Sequence, residues 1–540
     1  MSKIAIVKVR SEHDLEWRTP GLAMKALRML GANGFVDRME KTSGLSFMPQ
    51  LTLPYLAALG QSYNEERGTE HRFTLIDEPP ERVNLEGFDM AWFTTGTPQA
   101  KATYRVADRA RRLGILTVLG GIHPTMLPDE AACHAHSLVV GEGEDAMAEL
   151  LTDYDAGRPL KERYVGHRRG SLDSLPTPRW QDASVEDYCP WVIPIQTSRG
   201  CRNACRFCST TRYQGAKRRH RPVEDVVREI QELKAAGVLT PGKTVFFTDN
   251  NIVWDTDHRR GVRDSSYSRE LFEALIPLDI EWVGQGELGA AEEPELVRLM
   301  AASGCFLLLV GLETLNQKGL DAMGKPCNQV ALYEEWVDAL HRHGIGIIGC
   351  FMFGLDTDTP ETFAETERFV HKWVDVPQLS LLTPFPGTAL YRQLKREGRL
   401  LHEDWSRYDI THMTFKPKGM SAPTMDALYQ RMVTGVYSTS AMITRALRYA
   451  TRTTVNGLPK MGRLSRFTSI LAPNMIYGRL CKVGGAQRFP ESVECPSSQV
   501  YPVATPGGTT PGLTLIKNGV AREMDPQSLL AAIKDRLSAA

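Results

Sequence analysis

The sequence predicts a parallel α/β protein built in two successive blocks and finished by a mainly helical region. Three observations predict it. Short apolar runs alternate with helix-period segments over residues 1–155, the mark of a doubly wound sheet. After a Pro- and Gly-punctuated stretch, 156–190, read as a linker, the alternation restarts at Trp191. It stops near residue 400, and 401–540 reads as helix, Thr424 to Ala450 above all, with a Gly- and Pro-rich tail from Gly484 and a terminal helix from Pro526 to Ala539.

In the first block, strands are expected at 3–9, 71–77, 89–95, 115–119 and 137–140, with helices after Pro54, over 99–113 and from Asp145. Parallel sheets of this kind bind ligands at the carboxyl ends of their strands. The turns there are Thr94-Thr95-Gly96, Gly120-Gly121-Ile122-His123 and Gly141-Glu142-Gly143-Glu144. Glycine lets the backbone approach a bulky ligand closely.

In the second block, strands are expected at 191–195, 244–247, 280–283, 306–310, 346–353 and 378–383, and a helix over Pro222–Ala236. Polar residues just past the strand ends are candidate site residues: Asp249, Asn250, Gln285 and Glu313. A lone acid at the end of an apolar run, such as Glu313, is costly without a partner.

Between the first two of these strands lies Arg199-Gly-Cys201-Arg-Asn-Ala-Cys205-Arg-Phe207-Cys208, a C-x3-C-x2-C loop. Thiolates are the soft ligands of iron–sulfur clusters and zinc. Three ligands rather than four would leave one iron of a cubane open to bind something else. Zinc would need a fourth ligand, for which His220 is the candidate. Disulfides need an oxidising compartment, which nothing in the chain suggests. The other seven of the ten cysteines share no repeated spacing and read as reduced thiols.

Apolar content of 42%, charged content of 24% and zero formal net charge describe an ordinary globular chain with no electrostatic case for nucleic acid. The N-terminal apolar run is short for a signal peptide, and no window reaches membrane-span length, so a cytoplasmic location is expected. Between Asp426 and Glu491 ten Lys or Arg occur and no acid. Two readings stand: charges balanced by acids elsewhere in the fold, or a surface for an anion or an acidic membrane.

The cysteine spacing, with Arg199-Gly200 ahead of it and Phe207 before the last thiol, resembles the cluster loop of the radical S-adenosylmethionine (radical SAM) enzymes. The order of the glycine turns, Leu119-Gly-Gly-Ile-His-Pro-Thr and Val140-Gly-Glu-Gly-Glu most closely, resembles the cobalamin (B12)-binding domain that precedes the barrel in one large subfamily. The resemblance implies an N-terminal Rossmann-like cobalamin-binding domain, a partial (β/α)6 TIM-like barrel and a helical C-terminal region.

It also implies cofactors and roles. Cys201, Cys205 and Cys208 hold a [4Fe–4S] cluster whose open iron chelates SAM. An electron donor such as flavodoxin or ferredoxin reduces it, and SAM is cleaved to a 5′-deoxyadenosyl radical. Phe207, Asp249, Asn250, Gln285 and Glu313 are the SAM-side candidates; Thr94, Thr95, Gly96, Gly120, Gly121, His123, Gly141, Glu142 and Gly143 are the cobalamin-side ones.

One departure is plain. The family's Asp-x-His-x-x-Gly motif after the first strand is absent, since His13 lacks its glycine. A lower cobalt ligand from that motif is therefore not expected, and His123 is expected to line the pocket. A domain that has lost cobalamin is the other reading. The implied activity is C-methylation of an unactivated carbon in a secondary metabolite or lipid-like substrate. The rivals are a radical SAM cyclase or rearrangement enzyme, and a non-catalytic iron–sulfur protein.

Overall fold

The computed structural model describes residues 2–10, 28, 48–173, 175–183, 192–257, 262–452, 462–483, 513–517 and 520–524. The expected tail from Gly484 and the terminal helix fall almost wholly outside the described residues.

The first block is a six-stranded parallel sheet: β1 (Lys3–Val9), β2 (Arg72–Glu78), β3 (Met90–Thr94), β4 (Leu116–Gly120), β5 (Ser137–Gly141) and β6 (Arg163–Gly166), in the order β2-β1-β3-β4-β5-β6. Six of the seven residues of β1 are buried, because helices cover both faces of a parallel sheet. Helix α1 (Thr52–Arg67) and α3 (Gly143–Asp155) pack on Ile4, Ile6, Trp92 and Val118, while α2 (Ala100–Arg112) packs on Ala5, Val7, Phe93 and Leu119. The order reverses between β1 and β3, so the crevice at the strand ends there is a topological switch point. Strand β6 lies within the stretch expected to be linker. Four residues reading Arg-Tyr-Val-Gly are too short and polar to announce a strand, and pairing with β5 makes them one.

The second block holds β7 (Val192–Ile195), β10 (Thr244–Phe247), β11 (Glu281–Gly286), β12 (Cys305–Glu313), β13 (Gly346–Phe353) and β14 (Val376–Leu381), all parallel and in sequential order. Between β7 and β10, the two-residue strands β8 (Ser198–Arg199) and β9 (Arg219–His220) pair antiparallel, with Arg199 opposite Arg219. Helices α4 (Val223–Ala235), α5 (Ser266–Leu275), α6 (Pro294–Ala302), α7 (Tyr333–Arg342) and α8 (Pro360–Trp373) cover one face through a single large core. This is a partial (β/α)6 barrel.

The C-terminal region ties the blocks together. After α9 (Ala389–Arg396), Trp405 and Tyr408 join the core of the first block, and Trp405 Nε1 donates to Glu130 at 3.0 Å. Helices α10 (Ala422–Val436), α11 (Thr439–Ala450) and α12 (Arg463–Val483) follow. Residues of α11 and α12, among them Leu447, Tyr449, Phe467 and Ile470, pack on Val283, Phe306, Ile348 and Val376, closing the barrel's other face.

Four arginines of the basic stretch have partners inside the fold, and two of them, Arg448 and Arg452, are balanced by an acid elsewhere in it, Asp375. Arg448 donates to the carbonyls of His371, Lys372 and Val374, and Arg452 pairs with buried Asp375 at 2.8 Å. Arg445 bonds Asn474 and the Val436 carbonyl, and Arg466 the Tyr449 carbonyl. Asp375 and the carbonyls of His371, Lys372 and Val374 lie far upstream of Arg448 and Arg452, so the run looked unpartnered. Among the described residues no helix is long and apolar enough to cross a membrane.

Candidate active site at the facing strand ends

The strand ends of the two blocks face each other across a cavity of about 510 Å³. Its floor in the first block is the three predicted turns: Thr94, Thr95 and Gly96, then Gly120 and Gly121, then Gly141, Glu142 and Gly143, joined by Glu144. Apolar side chains of Leu56, Trp92, Val118, Val139 and Met147 lie behind them, and Gln196, Arg199, Gln214 and Thr248 line it from the barrel side. Gly121 has φ of +100°, and a Cβ there would sit 2.8 Å from the Thr95 backbone. Only glycine fits that approach. Thr95 Oγ1 is buried here with no hydrogen-bond partner, the kind of group that a polar ligand would satisfy.

His123 does not line this cavity. The helical turn Ile122–Met126 that starts at Gly121 carries it to the other side, where it is fully buried. Its Nδ1 lies 3.3 Å from Thr97 Oγ1 and its Nε2 3.2 Å from Glu130. The expectation of a pocket-lining histidine is corrected; Ile122 takes that place.

The cysteine loop spans the gap between β8 and β9. Gly200 turns into it with φ of +97°, where a Cβ would lie 2.2 Å from the Lys217 carbonyl, and Ala204 also has positive φ. All three thiols are free and partly buried. Burial pushes Cys201 up to about 11 and Cys205 to about 12, so each would release its proton on binding metal. Among the described residues no three His, Cys, Asp or Glu side chains converge tightly enough to hold a single ion. His220, the proposed zinc partner, instead bonds Asp255 at 3.2 Å and stacks on Tyr267. The donor set fits an iron–sulfur cluster.

Two of the strand-end polar groups, Asp249 and Asn250, brace this loop. Asp249, fully buried, accepts from Thr197 N at 3.0 Å, from Thr197 Oγ1 at 2.7 Å and from Ser198 Oγ. Asn250 donates to Gln214 at 2.7 Å and accepts from Thr210 at 3.0 Å. Phe207 packs on the barrel core, and Gln285 sits partly buried near the end of β11. Glu313 has φ of +66° and pairs with Lys325 at 2.5 Å, whose Nζ also donates to the Gly311 carbonyl at 2.7 Å.

Lys325 was not evident as the partner Glu313 needed. Glu287 was missed outright: it accepts from Asn203 in the cysteine loop at 2.8 Å, from Asn251 at 2.9 Å and from Trp254 at 3.0 Å. The available signal was an acid two residues past Gln285, at the same strand end.

Glu142 and Glu144 cross the boundary between blocks. Glu144 accepts from Tyr55 at 2.7 Å and from Arg199 at 2.6 Å; Glu142 pairs with Arg219 Nη1 at 2.9 Å and lies 3.5 Å from Arg199. Burial works against the Glu144 carboxylate, but Arg199 and Tyr55 hold it below its ordinary range.

Comparison with known proteins places this geometry. The Radical SAM superfamily profile matches residues 195–370, the B12 binding domain profile 55–151, and a domain of unknown function (DUF4070) 388–478. Two α/β blocks, one with a three-thiol loop and one with a glycine-lined cavity, thus define a radical SAM protein with a B12-binding domain. The chain is 32% identical over 412 residues to bacteriochlorophyllide d C-12(1)-methyltransferase of Chlorobaculum tepidum, covering 75% of this chain and 86% of that one. It is 28% identical over 335 residues to hopanoid C-2 methylase of Rhodopseudomonas palustris, covering 58% and 60%. Its fold is that of the radical SAM methyltransferase TsrM from Kitasatospora setae, at TM-score 0.59 and 15% identity, covering 90% of this chain and all of that one. The chain belongs to the cobalamin-dependent radical SAM enzymes, and its cofactors are a [4Fe–4S] cluster, SAM and cobalamin.

Proposed function

We propose that this enzyme methylates an unactivated carbon of a large, mainly apolar small molecule, of the tetrapyrrole or lipid kind. The observation that carries methyl transfer over a cyclisation or rearrangement is the 32% identity along 86% of a methyltransferase. When bound, the cluster with SAM supplies a carbon-centred radical and cobalamin supplies the methyl group. The chain's own residues bind and orient. Cys201, Cys205 and Cys208 hold the cluster; Phe207, Gln285 and Glu313 lie on the SAM side, with Asp249 and Asn250 fixing the loop from behind. Thr94, Thr95, Gly96, Gly120, Gly121, Gly141, Glu142 and Gly143 carry cobalamin, and the apolar wall of Trp92, Val118 and Val139 excludes water from it. A one-electron donor such as flavodoxin or ferredoxin and a cytoplasmic location complete the reading, as reduced thiols suit that compartment.

The test is anaerobic turnover of reconstituted enzyme with SAM, methylcobalamin, reductant and a panel of tetrapyrroles and polycyclic lipids, followed by mass spectrometry. A product heavier by one methylene, with 5′-deoxyadenosine formed alongside, is expected. Deoxyadenosine with a product isomeric or dehydrogenated relative to its substrate would establish the rearrangement reading instead.

A further inference from the structure

The cysteine loop and the cobalamin cavity share a wall. The loop leaves the barrel at β8 and returns at β9, and these two strands put Arg199 directly opposite Arg219. Both arginines reach out of the barrel block toward one turn of the first block, Gly141-Glu142-Gly143-Glu144. Arg219 grips Glu142 through both its terminal nitrogens and is itself fixed by the carbonyls of Arg169 and Gln214, at 2.8 and 2.9 Å. Arg199 bonds Glu144 at 2.6 Å and lies over the Tyr55 ring, 5.5 Å from its centroid. Glu142 and Glu144 are each only 5% exposed, so these are desolvated, directional contacts rather than a screened surface pair.

The same turn faces the other way as well. Glu142, Glu144 and Arg199 all line the cavity. Glu144 Oε1 is taken by Arg199 and Tyr55, whereas its Oε2 is buried with no hydrogen-bond partner. A corrin ring carries amide side chains whose N–H groups are donors of the kind this oxygen lacks. One carboxylate would then be held on one oxygen by the base of the cluster loop and on the other by the corrin periphery.

We propose that Glu142 and Glu144 are positioning residues that couple the two cofactor sites: ordering the cluster loop through Arg199 and Arg219 presets the turn that receives cobalamin, and cobalamin in turn firms the loop. This rests on the cofactor assignment above. Coupling of this kind is reciprocal. It also sets the separation between the methyl source and the radical source, because the clamp sits beside both.

The experiment measures the affinity of hydroxocobalamin by absorbance and tryptophan quenching in four anaerobic samples: wild type and Glu144→Gln, each with the reconstituted cluster and cluster-free. Wild type should bind at least about 5-fold more tightly with the cluster present, the low end of ordinary site-to-site coupling. Glu144→Gln, which keeps an acceptor for Arg199 and Tyr55 but removes the charge, should narrow that ratio to below about 2-fold, losing more affinity with the cluster present than without it. Electron paramagnetic resonance of the reduced cluster gives the reciprocal readout: its spectrum should shift on cobalamin addition in wild type and not in the variant. A wild-type ratio near one overturns the proposal without any variant. So does an unchanged ratio in Glu144→Gln, or an equal loss of affinity with and without the cluster, which would make Glu144 a plain cavity contact. Wild type that forms its cluster yet binds no cobalamin in either state removes the cofactor assignment itself, and the coupling with it.

Discussion

Arg452 closes an ion pair on Asp375 at 2.8 Å, and the same carboxylate, fully buried, accepts from His341 at 2.9 Å. Through it the start of β14, helix α7 and the end of α11 meet at one charge. Burial alone would raise the Asp375 carboxyl, but Arg452, His341 and Arg448 outweigh it and hold the group well below the carboxylate range. Removing the charge leaves the half-buried Arg452 and Arg448 without their shared counter-charge. Asp375→Asn should therefore lose roughly 3–5 kcal/mol, read as a lower denaturant midpoint. With its folded pKa depressed, the group's contribution is complete above its unfolded value of about 3.9 and is lost only as pH falls through the lower folded value. The gap between wild type and variant should thus stay level from pH 5 to 8.

Asp358 behaves in the opposite sense. Burial pushes its carboxyl up to about 6, although Gly354 N and Leu355 N donate to it at 2.8 and 3.0 Å. A raised folded pKa gives stability that is present below the unfolded value and is lost as pH rises through about 6. Asp358→Asn should accordingly gain on wild type by about 1–2 kcal/mol between pH 5 and pH 8. Paired urea titrations at the two pH values measure this, and an unchanged difference would refute it.

Metal content separates the loop thiols from the rest. Cys208→Ala should fail to retain the roughly four irons of the cluster and its charge-transfer absorption. Cys133→Ala, an exposed thiol in the first block, should keep both.

Glu287 anchors the cysteine loop through Asn203 at 2.8 Å. Glu287→Ala leaves Asn203, Asn251 and Trp254 without their shared acceptor. Amide exchange across residues 201–208 should accelerate several-fold, roughly an order of magnitude at most for a local opening, and cluster yield should fall while far-ultraviolet circular dichroism is retained. Exchange unchanged in that segment would show that the loop is held by other contacts.

Gly141→Ala tests the cavity floor. At φ of +94° a Cβ would sit 2.4 Å from the Gly166 carbonyl, so β5 and β6 must separate or the turn must unwind. A destabilisation of about 1–3 kcal/mol is expected from the backbone conformation alone, together with loss of cobalamin through gel filtration.

Much of this architecture was legible along the chain. Buried parallel strands read as unbroken apolar runs, so β1, β10, β12 and β13 announced themselves, and the glycines at 120, 121 and 141 marked the floor of a cavity before any contact was known. Illegible parts share a cause. Strand β6 is made a strand by β5, not by its own residues. His123 and Ile122 differ by one position, and the turn that starts at Gly121 chose which of them faces the cavity. Arginines that looked unpartnered between 427 and 490 find Asp375, more than fifty residues upstream.

By itself, then, the sequence determined the local and compositional properties of this protein. Strand and helix periods set the two α/β blocks, and three thiols at a fixed spacing set the soft donor set of a metal centre, because these depend on neighbouring residues. Tertiary structure alone decided which polar groups are site and which are scaffold. Asp249 supports the loop, Glu287 anchors it, and Glu142 and Glu144 bind arginines of the other block, each because a buried charge takes whichever partner the fold brings within hydrogen-bond reach.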